Sequence, residues 1–189
     1  MKLISFCIFL IPVIVLASTP ITKEQLNNIS KTNITNDEQR EQLSKTAGLL
    51  SEYEIKARKL VSSLSKVDLN SEKVISDAEA LLILSTSVID SARFRLPQCE
   101  VYLKKTMELK DYLSTISHET LEKDYHHDGA LPKAPVECYH TKDLYVHPAT
   151  VMVLVRDDPD LLEVTRDTIA DEINEVLAHT EIVRELVIY

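Results

Sequence analysis

The sequence predicts an all-α protein built as an up-and-down four-helix bundle. Three observations favour this fold class: the 189 residues include only two glycines, they include no tryptophan, and long stretches repeat apolar residues in steps of three and four. Short connections join most of these stretches, and such connections place consecutive helices side by side and antiparallel. The exception is a long predicted loop between helices 3 and 4.

Residues 1–17 have the pattern of a secretory signal peptide. Lys2 is followed by an apolar run from Leu3 to Val15, and the small residue Ala17 precedes the expected cleavage point. The run is shorter than the roughly 20 apolar residues of a membrane span, so an uncleaved anchor is the less favoured alternative. We therefore expect a secreted protein, or a periplasmic one if the source is bacterial.

Residues 18–34 are polar and rich in Asn, Thr and Ser, which predicts a flexible arm. Asn28 and Asn33 each begin an Asn-x-Ser/Thr pattern and are possible glycosylation sites in a eukaryote. The remainder, 35–189, is long enough to fold as a single helical-bundle domain.

The first two helices are predicted from their caps and apolar stripes. Thr35 and Glu38 have the spacing of a capping box, so the first helix is expected to begin there. Glu54 is the one charged member of its stripe, and we expect this residue to pair with Lys, Arg or His179. The second helix contains "ALLIL", which is apolar on nearly every side, so this helix is predicted to be the most buried. Its stripe comprises Val74, Ala78, Leu81, Ser85, Val88 and Ala92.

A third helix is predicted over residues 98–127, with Gly129 as its stop. His118, Glu122 and His126 follow one another in steps of four residues, which places them in a row. This row lies opposite the apolar face of the helix, so the pattern indicates a solvated surface.

The last helix is predicted to begin at Asp158 and Pro159, a favourable cap and first-turn pair. The apolar run "ATVMVLV" before it fits either a helix or a strand. His179 flanks the apolar face, with Glu172 and Glu175 nearby. The stripe of this helix comprises Leu162, Ile169, Ile173, Val176, Val183 and Val187.

The cysteines predict one disulfide. Cys7 lies in the signal peptide, so the exported chain retains Cys99 and Cys138, and an even pair in an exported protein is typical of a disulfide. A third helix of about 30 residues would be roughly 45 Å long. The loop that follows it would therefore have to return along the bundle, and the disulfide would pin that loop to the helices.

The predicted loop, residues 124–148, is the candidate binding surface. It holds four of the six histidines and three of the seven tyrosines. Tyrosine is favoured at interfaces because it buries a large ring and keeps a polar tip. We therefore predict that the loop binds another protein; the alternative is that the rings pack the loop onto the bundle. The residues predicted for this surface are Tyr125, Tyr139, Tyr145, His140 and His147.

A metal site is the alternative function of the same loop. Four imidazoles can supply the nitrogen ligands that a zinc or copper ion needs, although their spacing matches no standard metal motif. The candidate ligands are His126, His127, His140 and His147. Without such a site, the sequence predicts no cofactor.

Several other function classes are not predicted. The formal net charge of −9 disfavours nucleic acid and anionic membrane surfaces as partners, because both require clustered Lys and Arg. The sequence has no Gly-x-Ser-x-Gly nucleophile motif, and two glycines cannot form a phosphate-binding glycine-rich loop. An enzyme is therefore not expected.

Overall fold

The computed structural model describes residues 37–189, which form six α-helices and no β-strand. The all-α prediction is confirmed for this part of the chain. The predicted signal peptide and arm, Asn28, Asn33 and the capping residue Thr35 lie outside the described residues. The helices are α1 (Asp37–Ser63), α2 (Ser71–Arg95), α3 (Glu100–Met107), α4 (His118–Leu121), α5 (Glu137–Asp157) and α6 (Glu163–Val187).

The four long helices pack in a ring, in which α1 and α5 each contact α2 and α6. Cys99, just beyond the end of α2, is bonded to Cys138 at the start of α5. Arg166 at the start of α6 donates to the carbonyl oxygen of Leu64, just beyond the end of α1, at 3.4 Å. The disulfide therefore brings the end of α2 to the start of α5, and the hydrogen bond brings the end of α1 to the start of α6. No helix within residues 37–189 has the length and hydrophobicity to cross a bilayer.

Helix α5 is the central helix of the fold. Residues 141–151 are all buried, because α5 packs against α2, α3, α4 and α6. Two predictions are wrong here: residues 137–148 of the expected loop 124–148 are part of α5, and α5 rather than α2 is the most buried helix. The undecided run "ATVMVLV" forms the second half of α5.

Pro148 lies inside α5 and is buried. A proline has no N–H to donate to the carbonyl oxygen four residues earlier, which here belongs to Leu144. The hydroxyl of Tyr53, a fully buried residue of α1, donates to this oxygen at 2.9 Å. The hydrogen bond from a neighbouring helix therefore replaces the one that the proline removes.

The predicted continuous third helix is wrong. A 3-10 turn (Pro97–Cys99) precedes α3, a second (Glu108–Asp111) follows it, and α4 begins only at His118. An irregular segment joins the second 3-10 turn to α4. Arg156 of α5 donates to the carbonyl oxygens of Leu113 and Ile116 in this segment, at 2.7 and 2.8 Å, and so holds it in place. Because the chain turns at this segment, Cys138 returns to Cys99 without a long loop.

The predicted disulfide is confirmed, with 5.5 Å between the Cα atoms of Cys99 and Cys138. The predicted pairing of Glu54 is also confirmed, because its Oε1 lies 2.8 Å from an Arg184 guanidinium nitrogen. This ion pair links α1 to α6.

The core stripes of α2 and α6 are largely as predicted. All six stripe residues of α2 are buried, and so are five of the six in α6. Leu162 is the exception at 61 % exposed, because α6 begins at Glu163 rather than at Asp158. Leu161 has a φ of 52°, in the left-handed region, and this turn delays the start of the helix.

The turn after the π-helical segment Glu122–His126 differs from the predicted glycine stop. Asp128, not Gly129, adopts a left-handed φ of 63°. Gly129 is needed for a different reason: a Cβ at this position would lie 2.5 Å from the carbonyl oxygen of Lys123. The glycine therefore permits a close backbone contact that no other residue would allow.

Candidate metal centre

A group of polar side chains is buried around the middle of α5. His140, Asp143 and His147 are three and four residues apart, so they share one face of this helix. His179 of α6 and His126 of the π-helical segment face them from either side. We call these five residues the histidine centre.

The imidazole rings of the centre form a continuous series of contacts. Ring centroids are 4.9 Å apart for His126 and His147, 5.8 Å for His147 and His179, and 4.9 Å for His179 and His140. His127 stacks on His126 at 5.0 Å, but His127 is itself exposed. Four of the six histidines of the chain therefore meet in one place, contributed by three separate segments.

Two of these imidazoles are oriented by carboxylates. Nδ1 of His126 lies 2.7 Å from Glu122, and Nδ1 of His147 lies 2.7 Å from Glu172. A carboxylate only accepts hydrogen bonds, so each Nδ1 carries a proton, and in the neutral form of each ring Nε2 has a free lone pair. Metal-binding histidines are held in this way by their outer carboxylates.

Two buried imidazole nitrogens of the centre, His140 Nδ1 and His147 Nε2, have no hydrogen-bond or ion-pair partner within residues 37–189. Buried polar atoms are nearly always paired, because an unpaired one costs about 1–3 kcal/mol. A group of such atoms in one place indicates that something outside the chain completes their bonding. Asp143 Oδ1 and His179 Nδ1 likewise make no well-aligned hydrogen bond, although Oδ1 lies 3.1 Å from Lys142 Nζ and Nδ1 lies 2.9 Å from Asp143 Oδ2.

The carboxyl group of Asp143 is ionised in spite of its burial. Burial by itself would raise the pKa of Asp143, but interactions with His179 and the ammonium group of Lys142 lower this pKa to about 2. His179 Nδ1 lies 2.9 Å from Oδ2, and Lys142 Nζ lies 3.1 Å from Oδ1. A buried aspartate that keeps its charge is a suitable ligand for a cation.

Neighbouring groups also set the protonation of the histidines. The hydrogen bond to Glu122 raises the pKa of His126, although its partial burial acts in the opposite direction. Burial, together with the nearby His179, lowers the pKa of His140. His140 is therefore neutral at neutral pH, as a metal ligand must be.

Lys142 is the single buried cation beside the centre, among the described residues, and is 2 % exposed. In addition to Asp143, its Nζ contacts Asp128 Oδ1 at 3.2 Å and donates to the carbonyl oxygen of His126 at 2.6 Å. The hydroxyl of Tyr102 donates to the same Asp128 oxygen at 2.5 Å. This network closes one side of the centre.

Carboxylates outnumber cations around the centre. Five carboxylates and one ammonium group give a net charge of −4 when the histidines are neutral, so the surroundings favour a bound cation. The carboxylates belong to Glu122, Asp128, Asp143, Glu172 and Glu175, and the ammonium group to Lys142.

The ligand atoms lie close enough to share an ion. Two triads, His126–Asp143–His147 and His140–Asp143–His179, each have their ligand atoms within 4.8 Å of one another. Tetrahedral zinc with bonds near 2.0–2.1 Å places its ligand atoms about 3.4 Å apart, so side chains need to close by only about 1 Å. A cleft of about 340 Å³, lined by His140, Asp143 and His179, gives access from solvent.

The structure distributes the predicted site residues unevenly. Of the four candidate metal ligands, it brings His126, His140 and His147 to Asp143, whereas the exposed His127 is grouped with His126 and Glu122 at the edge of the centre. The predicted protein-binding surface is not an exposed loop: Tyr125, Tyr145 and His147 are buried, and Tyr139 and His140 are half-buried. The ring of Tyr139 packs on Tyr102 at a centroid distance of 5.7 Å.

The prediction of a solvated row on the third helix is also wrong. Glu122 and His126 are half-buried and face the centre, because the π-helical segment changes the rotation per residue. Sequence reasoning missed Asp143, and it placed Glu172 beside His179 but not beside His147. The spacing of His140, Asp143 and His147 would have revealed the site if residues 137–157 had been interpreted as a helix.

Comparison with protein families, with characterised proteins and with solved structures yields no match.

Proposed function

We propose that this protein is an exported helical protein that binds a transition-metal ion of the zinc or copper class at the histidine centre. The observation that carries the proposal is the pair of buried imidazole nitrogens without a partner, His140 Nδ1 and His147 Nε2, beside the buried carboxylate of Asp143. Two outer carboxylates that orient His126 and His147 add support. Imidazole nitrogen with carboxylate oxygen is a donor set that suits zinc and copper.

The proposed scaffold for the site is an up-and-down four-helix bundle of α1, α2, α5 and α6. Two contacts support it: the disulfide between the end of α2 and the start of α5, and the hydrogen bond from Arg166 of α6 to Leu64 at the end of α1. Metal sites in such bundles are built from inward side chains on facing helices. The short helices α3 and α4 would then cover the bundle beside α5.

Export is the proposed setting for this binding. The signal-peptide pattern of residues 1–17 and the Cys99–Cys138 disulfide both favour an oxidising compartment. The disulfide also leaves no free thiolate within residues 37–189, so the proposed coordination is by nitrogen and oxygen only.

The tyrosines of the predicted binding surface do not favour a protein partner. Tyr125 and Tyr145 are buried in the fold, and the hydroxyl of Tyr139 donates to the carbonyl oxygen of Ala134 in its own segment at 3.1 Å. Rings that pack within the protein supply no anchor to another surface.

Metal titration tests the proposal. The full chain, purified without a histidine tag and stripped with a chelator, should bind Zn²⁺ or Cu²⁺ stoichiometrically in calorimetry. His147→Ala should weaken binding by more than about 10-fold, and Glu172→Gln by about 10-fold, because this carboxylate orients His147.

His118→Ala is the matched control, because this histidine is more exposed and belongs to neither triad of Asp143. Its affinity should equal that of the unchanged protein. A folded, chelator-stripped protein that binds neither Zn²⁺ nor Cu²⁺ stoichiometrically would overturn the proposal.

A further inference from the structure

The ligand atoms of the histidine centre divide into two pairs of histidines rather than one group of four. His126 and His147 form one triad with Asp143, and His140 and His179 form the other with the same aspartate. A single ion uses one triad and leaves buried, unpaired nitrogen in the other. The sharing of Asp143 is the feature that a one-ion site does not explain.

We infer that the centre is dinuclear, with the carboxylate of Asp143 bridging two divalent metal ions. One ion would be bound by His126 and His147, and the other by His140 and His179. This inference rests on the proposed metal-binding function and specifies the number of ions and their ligands.

The two oxygens of Asp143 are already in different surroundings. In the metal-free protein Oδ2 lies 2.9 Å from His179 Nδ1, a hydrogen-bond distance, so an ion bound by these two atoms would replace that contact. Oδ1 lies 3.1 Å from the Lys142 ammonium group. A carboxylate that offers one oxygen to each ion suits a two-metal site, in which the ions are about 3.5–4 Å apart.

The charge of the surroundings favours two ions over one. The five carboxylates and Lys142 leave a net charge of −4, so one divalent ion would leave about half of this charge uncompensated and two would neutralise it. The cost of uncompensated charge is largest at Asp143 and Glu172, the least exposed of the five, whereas Glu175 is half-exposed and partly screened by solvent. The same negative charge reduces the repulsion between the two ions.

Lys142 lies beside Asp143 Oδ1, the oxygen that one of the two ions would bind. Its Nζ already contacts Asp128 Oδ1 at 3.2 Å and the carbonyl oxygen of His126 at 2.6 Å. An ion at Asp143 Oδ1 can therefore displace the ammonium group without leaving it unpaired. In the metal-free protein Lys142 acts as a built-in counter-ion.

Each triad has only three protein ligands, so each ion would keep an open coordination position. Three protein ligands and an open position are typical of sites that bind water or an exogenous ligand. The cleft beside His140 and Asp143 leads to this position. The half-exposed pair, His140 and His179, would hold the more accessible ion.

The stoichiometry of the full chain tests the inference directly. Chelator-stripped protein is incubated with excess Zn²⁺, desalted and analysed for bound metal, and we expect two ions per chain. Loaded with Cu²⁺ instead, it should show the weakened, spin-coupled paramagnetic resonance signal of two bridged ions rather than the signal of isolated Cu²⁺. Neither measurement depends on a substitution.

Variants assign the two ions to their triads. His140→Ala and His147→Ala should each reduce the bound metal from two ions to one and restore the signal of isolated Cu²⁺. His118→Ala should retain two ions, and circular dichroism identifies any variant that fails to fold.

The outcomes separate the two claims. No bound ion would overturn both, whereas one ion per chain, or two ions without spin coupling, would overturn the dinuclear inference and leave the metal-binding function standing. Loss of one ion from His118→Ala would also overturn the inference, because the second ion would then lie at Glu122 rather than at Asp143.

Discussion

At the scale of single residues, Asp143 links the electrostatics of the centre to stability. The carboxyl group is 5 % exposed, yet His179 and Lys142 hold its pKa near 2, against an ordinary value of 3.8. A carboxyl whose pKa is lower in the folded state contributes stability above its unfolded pKa and loses this contribution as the pH falls. The side chain is therefore expected to be a source of acid sensitivity.

The first prediction concerns this residue in the metal-free protein. Between about pH 4 and pH 2 the free energy of unfolding should fall by about 2 kcal/mol on account of Asp143, because the unfolded state binds its proton first. Urea unfolding in the presence of a chelator measures the change. In Asp143→Asn this part of the pH dependence should disappear, and an unchanged slope in that variant would contradict the assignment.

At the scale of helices, the hydrogen bond from Tyr53 to Leu144 permits a proline inside the most buried helix. Removing the hydroxyl leaves a buried carbonyl oxygen without a partner. The cost of such an oxygen is about 1–3 kcal/mol, whereas the lost oxygen atom changes the packing little.

The second prediction follows from this contact. Tyr53→Phe should lower the free energy of unfolding by about 1–3 kcal/mol, measured by urea unfolding. Tyr112→Phe is the control, because Tyr112 is 48 % exposed and its loss of a hydroxyl should change stability by less than about 0.5 kcal/mol. Equal effects in the two variants would show that the hydroxyl of Tyr53 contributes nothing specific.

The helices that could be predicted from the sequence are those with one apolar and one solvated face. α2 and α6 have such faces, and their core stripes are nearly as expected. α5 could not be predicted, because a helix surrounded on every side has no polar face and shows no helical period. Pro148 and the polar residues of α5 favoured the prediction of a loop, although Lys142, Asp143 and His147 each have a partner in another segment of the fold.

The metal centre could be predicted only in part, because α5, which holds three of its residues, could not be predicted as a helix. His126, His140 and His147 were identified as candidates because histidines are concentrated in one part of the chain. Asp143 was not, and the contact of Glu172 with His147 was not expected, since single acidic residues are common and only the packing of α5 against α6 brings these two helices together. Sequence spacing reveals ligands on one helix but not ligands contributed by its neighbours.

At the scale of the whole molecule, the Cys99–Cys138 disulfide fastens the first turn of α5 to the end of α2. His140 and Asp143 follow Cys138 within about two helical turns. The disulfide therefore stabilises the end of α5 from which half of the centre projects.

The third prediction is that Cys99→Ser lowers the free energy of unfolding by about 2–4 kcal/mol, because the cross-link restricts the unfolded chain over 39 residues. Denaturant unfolding under non-reducing conditions provides the measurement. Hydrogen exchange should also become faster in residues 128–157, where the chain loses its attachment to α2. If thiol labelling of the unfolded, unreduced protein finds two reactive cysteines, the cross-link is absent in solution and the prediction fails.

The contact between Tyr53 and the carbonyl oxygen of Leu144 also constrains how this sequence can evolve. While Pro148 is present, loss of the tyrosine hydroxyl leaves that oxygen unsatisfied. Once position 148 has a residue with an N–H, the helix can satisfy the oxygen itself, and the hydroxyl becomes dispensable. The two substitutions are therefore tolerated in one order and selected against in the other, so lineages descended from this protein should lose the proline before they lose the tyrosine.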